Sequence, residues 1–167
     1  MVTEQSLLAQ LSVKVGNRLR DERLMLTTAE SCTGGLVAAA ITDISGSSNW
    51  FERGFVTYSN QAKTEMIGVP AELIEKHGAV SEPVARAMAE GALFNSRAQI
   101  SLSITGVAGP GGGTPDKPVG MVCFGWSNRL KTVVETKHFK GDRTQVRSQA
   151  AQHALRGVLE LLDTAES

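Results

Sequence analysis

The spacing between predicted strands changes along this chain, and that change constrains the fold most. The early strand patterns are separated by helical patterns, whereas the last two are separated only by Asn128 and Arg129. Strands joined through a helix can run parallel, and strands joined by two residues form an antiparallel hairpin. The sequence therefore predicts a mixed sheet inside a three-layer α/β/α sandwich, in one α/β domain that covers residues 1–167.

The predicted elements follow from hydrophobic periodicity and from capping and turn residues. Helices are predicted at 4–22, 36–42, 60–68, 70–78, 81–97 and 142–165. Strands are predicted at 24–28, 54–59, 99–105, 120–127 and 130–140. The last helix begins with Asp142 and Gln145, three residues apart, which is typical of a capping box.

The composition argues against several classes of protein. Lysine plus arginine and aspartate plus glutamate each number 17, so the basic excess of a general nucleic-acid binder is missing. No apolar run approaches the roughly 18 residues of a membrane span, and the first residues do not form a signal peptide pattern. Cys32 and Cys123 lie far apart, which predicts neither a disulfide framework nor a zinc site. We therefore expect a cytoplasmic protein that contacts neither a membrane nor nucleic acid.

The segment 28–35 changes from a strand pattern to a helix through polar and glycine residues. A serine at such a junction, Ser31, can lie at the positive end of a helix dipole, beside free backbone amides that receive an oxyanion. The alternative is that Ser31 or Thr33 only caps the helix, which is the commoner use of these residue types.

Tyr58 closes the next predicted strand, and Lys63 lies in about the first turn of the helix that follows. A serine hydroxyl is a weak nucleophile until a base takes its proton, and a lysine can be that base where burial lowers its pKa. Because both residues lie at or just beyond the end of this strand, they can project over the same sheet edge as Ser31. The alternative is that Lys63 is an ordinary solvated lysine.

Two later segments have the residue types of a ligand site. Residues 106–118 are rich in glycine and proline, and glycines let backbone amides approach an anion or a planar ligand. A flexible surface loop is the alternative.

Arg143 and Arg147 share a face at a helix start, where cations oppose the dipole. That mismatch suggests either an anionic partner such as phosphate or a salt bridge with a nearby acid.

Together these segments resemble the nicotinamide-nucleotide amidase family, also known as the CinA C-terminal domain family, in its stand-alone form. The resemblance covers most of the chain, and its motifs occur in order. They are TAESCTGG at 28–35, VTYSNQAK at 56–63, HGAVSEPVARAMAEGA at 77–92, SITGVAGPGGGTPDKPVG at 103–120 and FKGDRTQVR at 139–147.

The resemblance implies a bacterial enzyme of pyridine nucleotide salvage. Its reaction is hydrolysis of the carboxamide of nicotinamide mononucleotide, which gives nicotinate mononucleotide and ammonia without a metal or an organic cofactor. The matching motifs imply that Ser31 is the nucleophile, Lys63 the general base and Tyr58 the hydrogen-bonding partner of that base. The backbone amides of residues 32–34 are our own candidates for the oxyanion hole, inferred from the turn.

The expected ligand is nicotinamide mononucleotide. Its ribose phosphate is expected to be held by Arg143 and by the glycine-rich segment 106–118, the glycine loop. The predicted substrate-binding residues are Thr33, Gly34, Thr105, Gly106, Gly111, Gly112, Gly113 and Arg143. Two alternatives stay open: a nucleotide-binding or regulatory module without turnover, and a serine–lysine amidase that acts on another small carboxamide. Whether the chain forms a homo-oligomer also stays open.

Overall fold

The structure is a computed structural model, and it describes residues 3–165. Within them, five strands form one sheet: β1 (Leu26–Glu30), β2 (Phe51–Val56), β3 (Ile100–Gly106), β4 (Met121–Ser127) and β5 (Thr132–His138). The α-helices are α1 (Glu4–Glu22), α2 (Leu36–Thr42), α3 (Asn60–Ile67), α4 (Ala71–His77), α5 (Glu82–Phe94) and α6 (Arg143–Ala165). The two residues at each end of the predicted domain lie outside the described residues.

The sheet has the strand order β2-β1-β3-β4-β5. β1 runs parallel to both β2 and β3, whereas β4 runs antiparallel to β3 and β5. Helices α1, α2 and α6 pack on one face, and α5 covers the other face with α3 and α4 beside it. The predicted α/β class, mixed sheet and helical layers on both faces are therefore confirmed.

The first two strands lie at different positions from those predicted. β1 begins at Leu26 and ends at Glu30, because its polar second half is buried in the sheet. β2 begins at Phe51, which pairs with Leu26, and ends at Val56. Tyr58 consequently lies in the loop beyond β2 rather than in the strand. The helix α5 also ends earlier than predicted, where the Asn95 side chain donates a hydrogen bond to a carbonyl of its last turn.

Side chains along β3 alternate between the two helical layers, as the pleat of a strand requires. Its aliphatic residues lie in the core beneath α1 and α6. Its hydroxyls point to the other face and donate to backbone carbonyls in or just before α5. These bonds are Ser101 to Ala89, Ser103 to Ala85 and Thr105 to Ala79. The end of this hydroxyl row reaches the edge of the sheet at which β1 and β2 also end.

The helix α3 is held against α5 at Gly91. A Cβ at this position would lie 2.0 Å from the carbonyl oxygen of Ile67, at the end of α3. No side chain larger than hydrogen fits between the two backbones, so the glycine permits the close contact. The contact fixes α3, the helix that carries Lys63.

The predicted capping box is present before α6. The Asp142 carboxylate accepts the backbone N–H of Gln145 at 2.9 Å, and the Gln145 side chain accepts the N–H of Asp142 at 2.8 Å. These reciprocal bonds fix the first turn of α6 and with it Arg143. Within residues 3–165, no helix combines the length and apolarity that a membrane crossing needs.

Candidate active site

A cavity of about 320 Å³ opens at the carboxyl ends of β1, β2 and β3. The chain leaves β1 toward β2 on one side and returns to β3 on the other, and ligands of open α/β sheets bind at such a point. Among the residues that line it are Ser31, Cys32, Tyr58, Lys63, Thr105, Gly106, Gly111, Gly112 and Arg143. Larger depressions of about 780 and 460 Å³ lie beside α5, but none of the predicted site residues lines them.

Ser31 and Lys63 meet at the bottom of this cavity. The Lys63 Nζ lies 3.0 Å from the Ser31 Oγ and donates a second hydrogen bond, 2.9 Å long, to the carbonyl oxygen of Thr57. Lys63 is 1% exposed and Ser31 is 8% exposed. Lys63 is thus a buried amine in contact with a serine hydroxyl. The alternative interpretation, that Lys63 is an ordinary solvated lysine, is wrong.

Burial lowers the pKa of Lys63 below the ordinary value of a lysine, because the charged ammonium loses its hydration. Neighbouring Cys32 has a smaller, opposite effect on that pKa. No carboxylate of the described residues forms an ion pair with Lys63, and the residues that line the cavity include none. A neutral amine here can accept the Ser31 proton while it donates to Thr57.

Residues 31–35, which connect β1 to α2, form the serine turn. Glu30 caps α2, the helix that follows this turn. Its buried carboxylate accepts the backbone N–H groups of Val37 and Ala38, each at 3.0 Å, and the Thr33 hydroxyl at 2.7 Å. The first amides of a helix need an outside acceptor, and a carboxylate also complements the helix dipole. Neither Ser31 nor Thr33 is the cap, and Ser31 stays available for Lys63. The Thr33 hydroxyl donates to Glu30, and Thr33 does not line the cavity.

The serine turn is also held from α6. The Gly34 N–H donates to the Ser31 carbonyl at 3.0 Å, so this one of the predicted oxyanion donors is already bonded within the turn. Arg147 donates to the carbonyls of Cys32 and Thr33 at 3.1 and 3.0 Å. Because a trans peptide points its N–H away from its carbonyl, Arg147 also orients the Thr33 amide. Gly34 lies beside Arg147 and outside the cavity lining.

Tyr58 and Arg143 lie together at the cavity mouth. Tyr58 is 61% exposed, and its hydroxyl accepts a 3.1 Å hydrogen bond from the Arg143 Nη2. The Arg143 Nη1 donates to the carbonyl of Gly109 at 2.8 Å. The hydrogen bond that the family resemblance implied between Tyr58 and Lys63 is not formed, because Tyr58 lies beyond β2 and Lys63 is bonded to Ser31 and Thr57 instead. Arg143 likewise contacts neutral groups rather than the acid of a salt bridge.

The glycine loop forms the opposite wall and is anchored at its base. Val107 donates its N–H to Met121 at 2.9 Å and accepts the N–H of Gly120 at 2.8 Å. Gly106, Gly111 and Gly112 line the cavity as predicted, but Gly113 does not. A Cβ at Gly113 would lie 2.9 Å from the backbone nitrogen of Val119, so this glycine packs against the returning arm of the loop.

Cys32, although it lines the cavity beside Ser31, is a protonated thiol at neutral pH. Burial raises its pKa to about 11. None of the three histidines lines the cavity: His77 ends α4, His138 ends β5, and His153 packs against the ring of Phe124. Ser31 and Lys63 are therefore the candidate nucleophile and base within the cavity.

Fold and cavity together define an α/β sandwich protein with a serine–lysine pair at the carboxyl edge of its sheet. The chain belongs to the CinA C-terminal domain family, whose model matches residues 8–162.

Curated relatives include stand-alone and longer proteins. The "Nicotinamide-nucleotide amidohydrolase PncC" of Escherichia coli K12 is 56% identical over 149 residues, which are 89% of this chain and 90% of that protein. A "Putative competence-damage inducible protein" of Symbiobacterium thermophilum is 55% identical over 150 residues. Those residues are 84% of this chain but only 35% of that protein, so this chain spans about a third of that longer relative.

Solved structures of CinA proteins have the same fold. One from Klebsiella pneumoniae 700603 has a TM-score of 0.91 and 36% identity, with 94% of this chain and 98% of that chain covered. The competence/damage inducible protein CihA from Agrobacterium tumefaciens has a TM-score of 0.90 and 41% identity, and the comparison covers 93% of this chain and 95% of that chain.

Proposed function

We propose that this protein hydrolyses the carboxamide of nicotinamide mononucleotide to nicotinate mononucleotide and ammonia, in pyridine nucleotide salvage. The observation that carries the proposal is the buried Lys63 Nζ, 3.0 Å from the Ser31 Oγ. A cavity that only binds a nucleotide has no need for an amine desolvated against a serine hydroxyl. The E. coli relative, named as a nicotinamide-nucleotide amidohydrolase, supports the choice of substrate.

In the first half of the proposed reaction, neutral Lys63 takes the Ser31 proton as the Oγ attacks the amide carbon. The backbone amide of Cys32, a residue that lines the cavity, is our candidate to stabilise the oxyanion that forms. Lys63 then gives its proton to the amide nitrogen, the C–N bond breaks, and ammonia leaves. The product of this half is an ester between the pyridine carbonyl and Ser31.

The second half repeats the proton transfers with water. Lys63, neutral again, takes a proton from water, and the resulting hydroxide attacks the ester carbonyl. The tetrahedral intermediate collapses as the proton returns to the Ser31 Oγ, which releases nicotinate mononucleotide. One buried base thus acts in both halves, and no step uses a metal or an organic cofactor.

The ribose phosphate of the substrate is assigned to the outer part of the cavity. We assign its binding to Thr105, Gly106, Gly111, Gly112 and Arg143. The absence of carboxylates among the described lining residues and the presence of Arg143 favour an anionic group there. The partner is a small molecule, and we place the reaction in the reducing bacterial cytoplasm.

Ammonia release from a panel of pyridine carboxamides tests this proposal. The panel holds nicotinamide mononucleotide, nicotinamide riboside and nicotinamide, and Ser31→Ala protein provides the background rate. We expect rapid release from the mononucleotide and much slower release from the other two. Faster release from nicotinamide would favour an amidase for small carboxamides, and binding of the mononucleotide without any release would favour a binding module.

A further inference from the structure

The Arg143 side chain spans the mouth of the cavity. Its Nη1 donates to the Gly109 carbonyl at 2.8 Å, and its Nη2 donates to the Tyr58 hydroxyl at 3.1 Å. Tyr58 lies on the loop after β2 and Gly109 on the loop after β3, and all three residues line the same cavity. The contact between Arg143 and Tyr58 therefore joins two walls at the point where a ligand enters.

The two acceptors that hold Arg143 are neutral. A phosphate is a stronger acceptor for a guanidinium, because the hydrogen bonds are charge-assisted and form in parallel pairs. A ligand whose amide lies at Ser31 and whose far end carries phosphate brings that phosphate to the cavity mouth. Tyr58 is 61% exposed, so its hydroxyl can exchange Arg143 for water without leaving a buried group unpaired.

We propose that Tyr58 is a positioning residue that sets the affinity for phosphate: its hydroxyl holds Arg143 in the free protein and releases it to the phosphate monoester of the ligand. For the identity of the whole ligand this inference rests on the proposed function. The exchange of partners itself requires only a phosphate monoester and no turnover. It gives Tyr58 a role at the cavity mouth that differs from hydrogen bonding to Lys63.

The exchange predicts the sign of the effect of Tyr58→Phe, which removes only the hydroxyl. Without the competing acceptor, ribose 5-phosphate should bind roughly threefold to tenfold more tightly, the equivalent of one net hydrogen bond. If the Tyr58 hydroxyl instead bonded to Lys63, Tyr58→Phe would leave the affinity for ribose 5-phosphate unchanged. It would then lower kcat and shift the pH profile of the reaction.

Calorimetric titration with ribose 5-phosphate tests the exchange in the whole protein. The set comprises wild type, Tyr58→Phe, Arg143→Gln, the double variant and Arg156→Gln. Arg156 is a matched control, because it lies on the same helix but bonds to Gln152 and does not line the cavity. We expect tighter binding in Tyr58→Phe, no gain when Tyr58→Phe is added to Arg143→Gln, and wild-type affinity in Arg156→Gln.

Unchanged or weaker binding by Tyr58→Phe would overturn the inference, as would an equal gain in the Arg143→Gln background. A parallel ammonia assay on nicotinamide mononucleotide separates this failure from that of the proposed function. If the mononucleotide is not hydrolysed but Tyr58→Phe still binds ribose 5-phosphate more tightly, the inference stands and the proposed function fails. If the mononucleotide is hydrolysed and the affinity does not rise, the inference alone fails.

Discussion

The floor and the rim of the cavity are built differently. The cavity floor, Ser31 and Lys63, is almost wholly buried, and its polar atoms, like those of the adjoining Glu30, bond to partners inside the protein. The cavity rim, Tyr58 and Arg143 with the glycine loop, has exposed side chains whose partners a ligand can replace. We therefore expect the two regions to have different roles. The floor, from which water is excluded, carries out the reaction, and the rim, whose hydrogen bonds a ligand can replace, selects the substrate.

The largest loss is expected at the floor, from Ser31→Ala. Without the nucleophilic oxygen no acyl-enzyme forms, so ammonia release from the mononucleotide should fall by at least about 10³-fold. Affinity for the mononucleotide should stay within a few-fold, because the rim is intact. Ser103→Ala is the matched control, since it also removes a buried hydroxyl but one that bonds to Ala85. Substantial turnover by folded Ser31→Ala protein would rule out the covalent mechanism.

At the rim, Arg143→Gln should affect recognition rather than chemistry. We expect kcat/KM for the mononucleotide to fall about tenfold to a hundredfold, as for the loss of a charge-assisted hydrogen bond. The value for nicotinamide riboside, which has no phosphate, should change little. Equal losses for both compounds would show that Arg143 does not read the phosphate and would remove the distinction between rim and floor.

Glu30→Gln tests whether the floor depends on its cap. An amide retains one acceptor oxygen but places a donor where a carboxylate oxygen accepted an N–H, so one buried bond is lost. We expect the free energy of unfolding in urea to fall by about 2 kcal/mol and kcat to fall by about tenfold, as the serine turn loosens. The exposed carboxylate Glu75 provides the control variant, Glu75→Gln, which should change neither quantity.

The smallest effect is expected from Cys32→Ala, although this residue touches both Ser31 and the cavity. Its pKa of about 11 keeps the thiol protonated at neutral pH. We therefore expect kcat within about twofold of wild type and slow alkylation of the wild-type thiol at pH 7. A loss comparable with that of Ser31→Ala would mean that the thiol takes part in the chemistry.

Local signals in the sequence were sufficient for the fold but not for all of the site. The change from helix-linked to two-residue connections predicted the mixed sheet, and Asp142 with Gln145 predicted the start of α6. Both signals act between residues close in the chain. The bounds of β1 were missed because hydrophobic periodicity does not register buried polar residues such as Glu30.

The missed parts of the site depend on contacts that no local pattern encodes. A helix cap is sought immediately before the helix, but Gly35 occupies that position and the capping carboxylate comes from Glu30, at the end of the preceding strand. The contact between Tyr58 and Arg143 joins residues 85 positions apart. The predicted Ser31–Lys63 contact was found because both residues follow parallel neighbouring strands, whose ends meet at one sheet edge.

In the proposed reaction Lys63 is a neutral base beside Ser31, and a direct titration of this lysine tests that role best. NMR of protein with ¹³C-labelled lysine side chains follows each lysine from pH 5 to 11, and Lys63→Arg identifies the resonance of Lys63. Arginine stays protonated, so this variant should also lack turnover. We expect Lys63 to titrate below the ordinary value of about 10.4, and kcat/KM to rise with pH through the same midpoint. A Lys63 resonance that titrates together with the exposed lysines would show that Lys63 is not a neutral base.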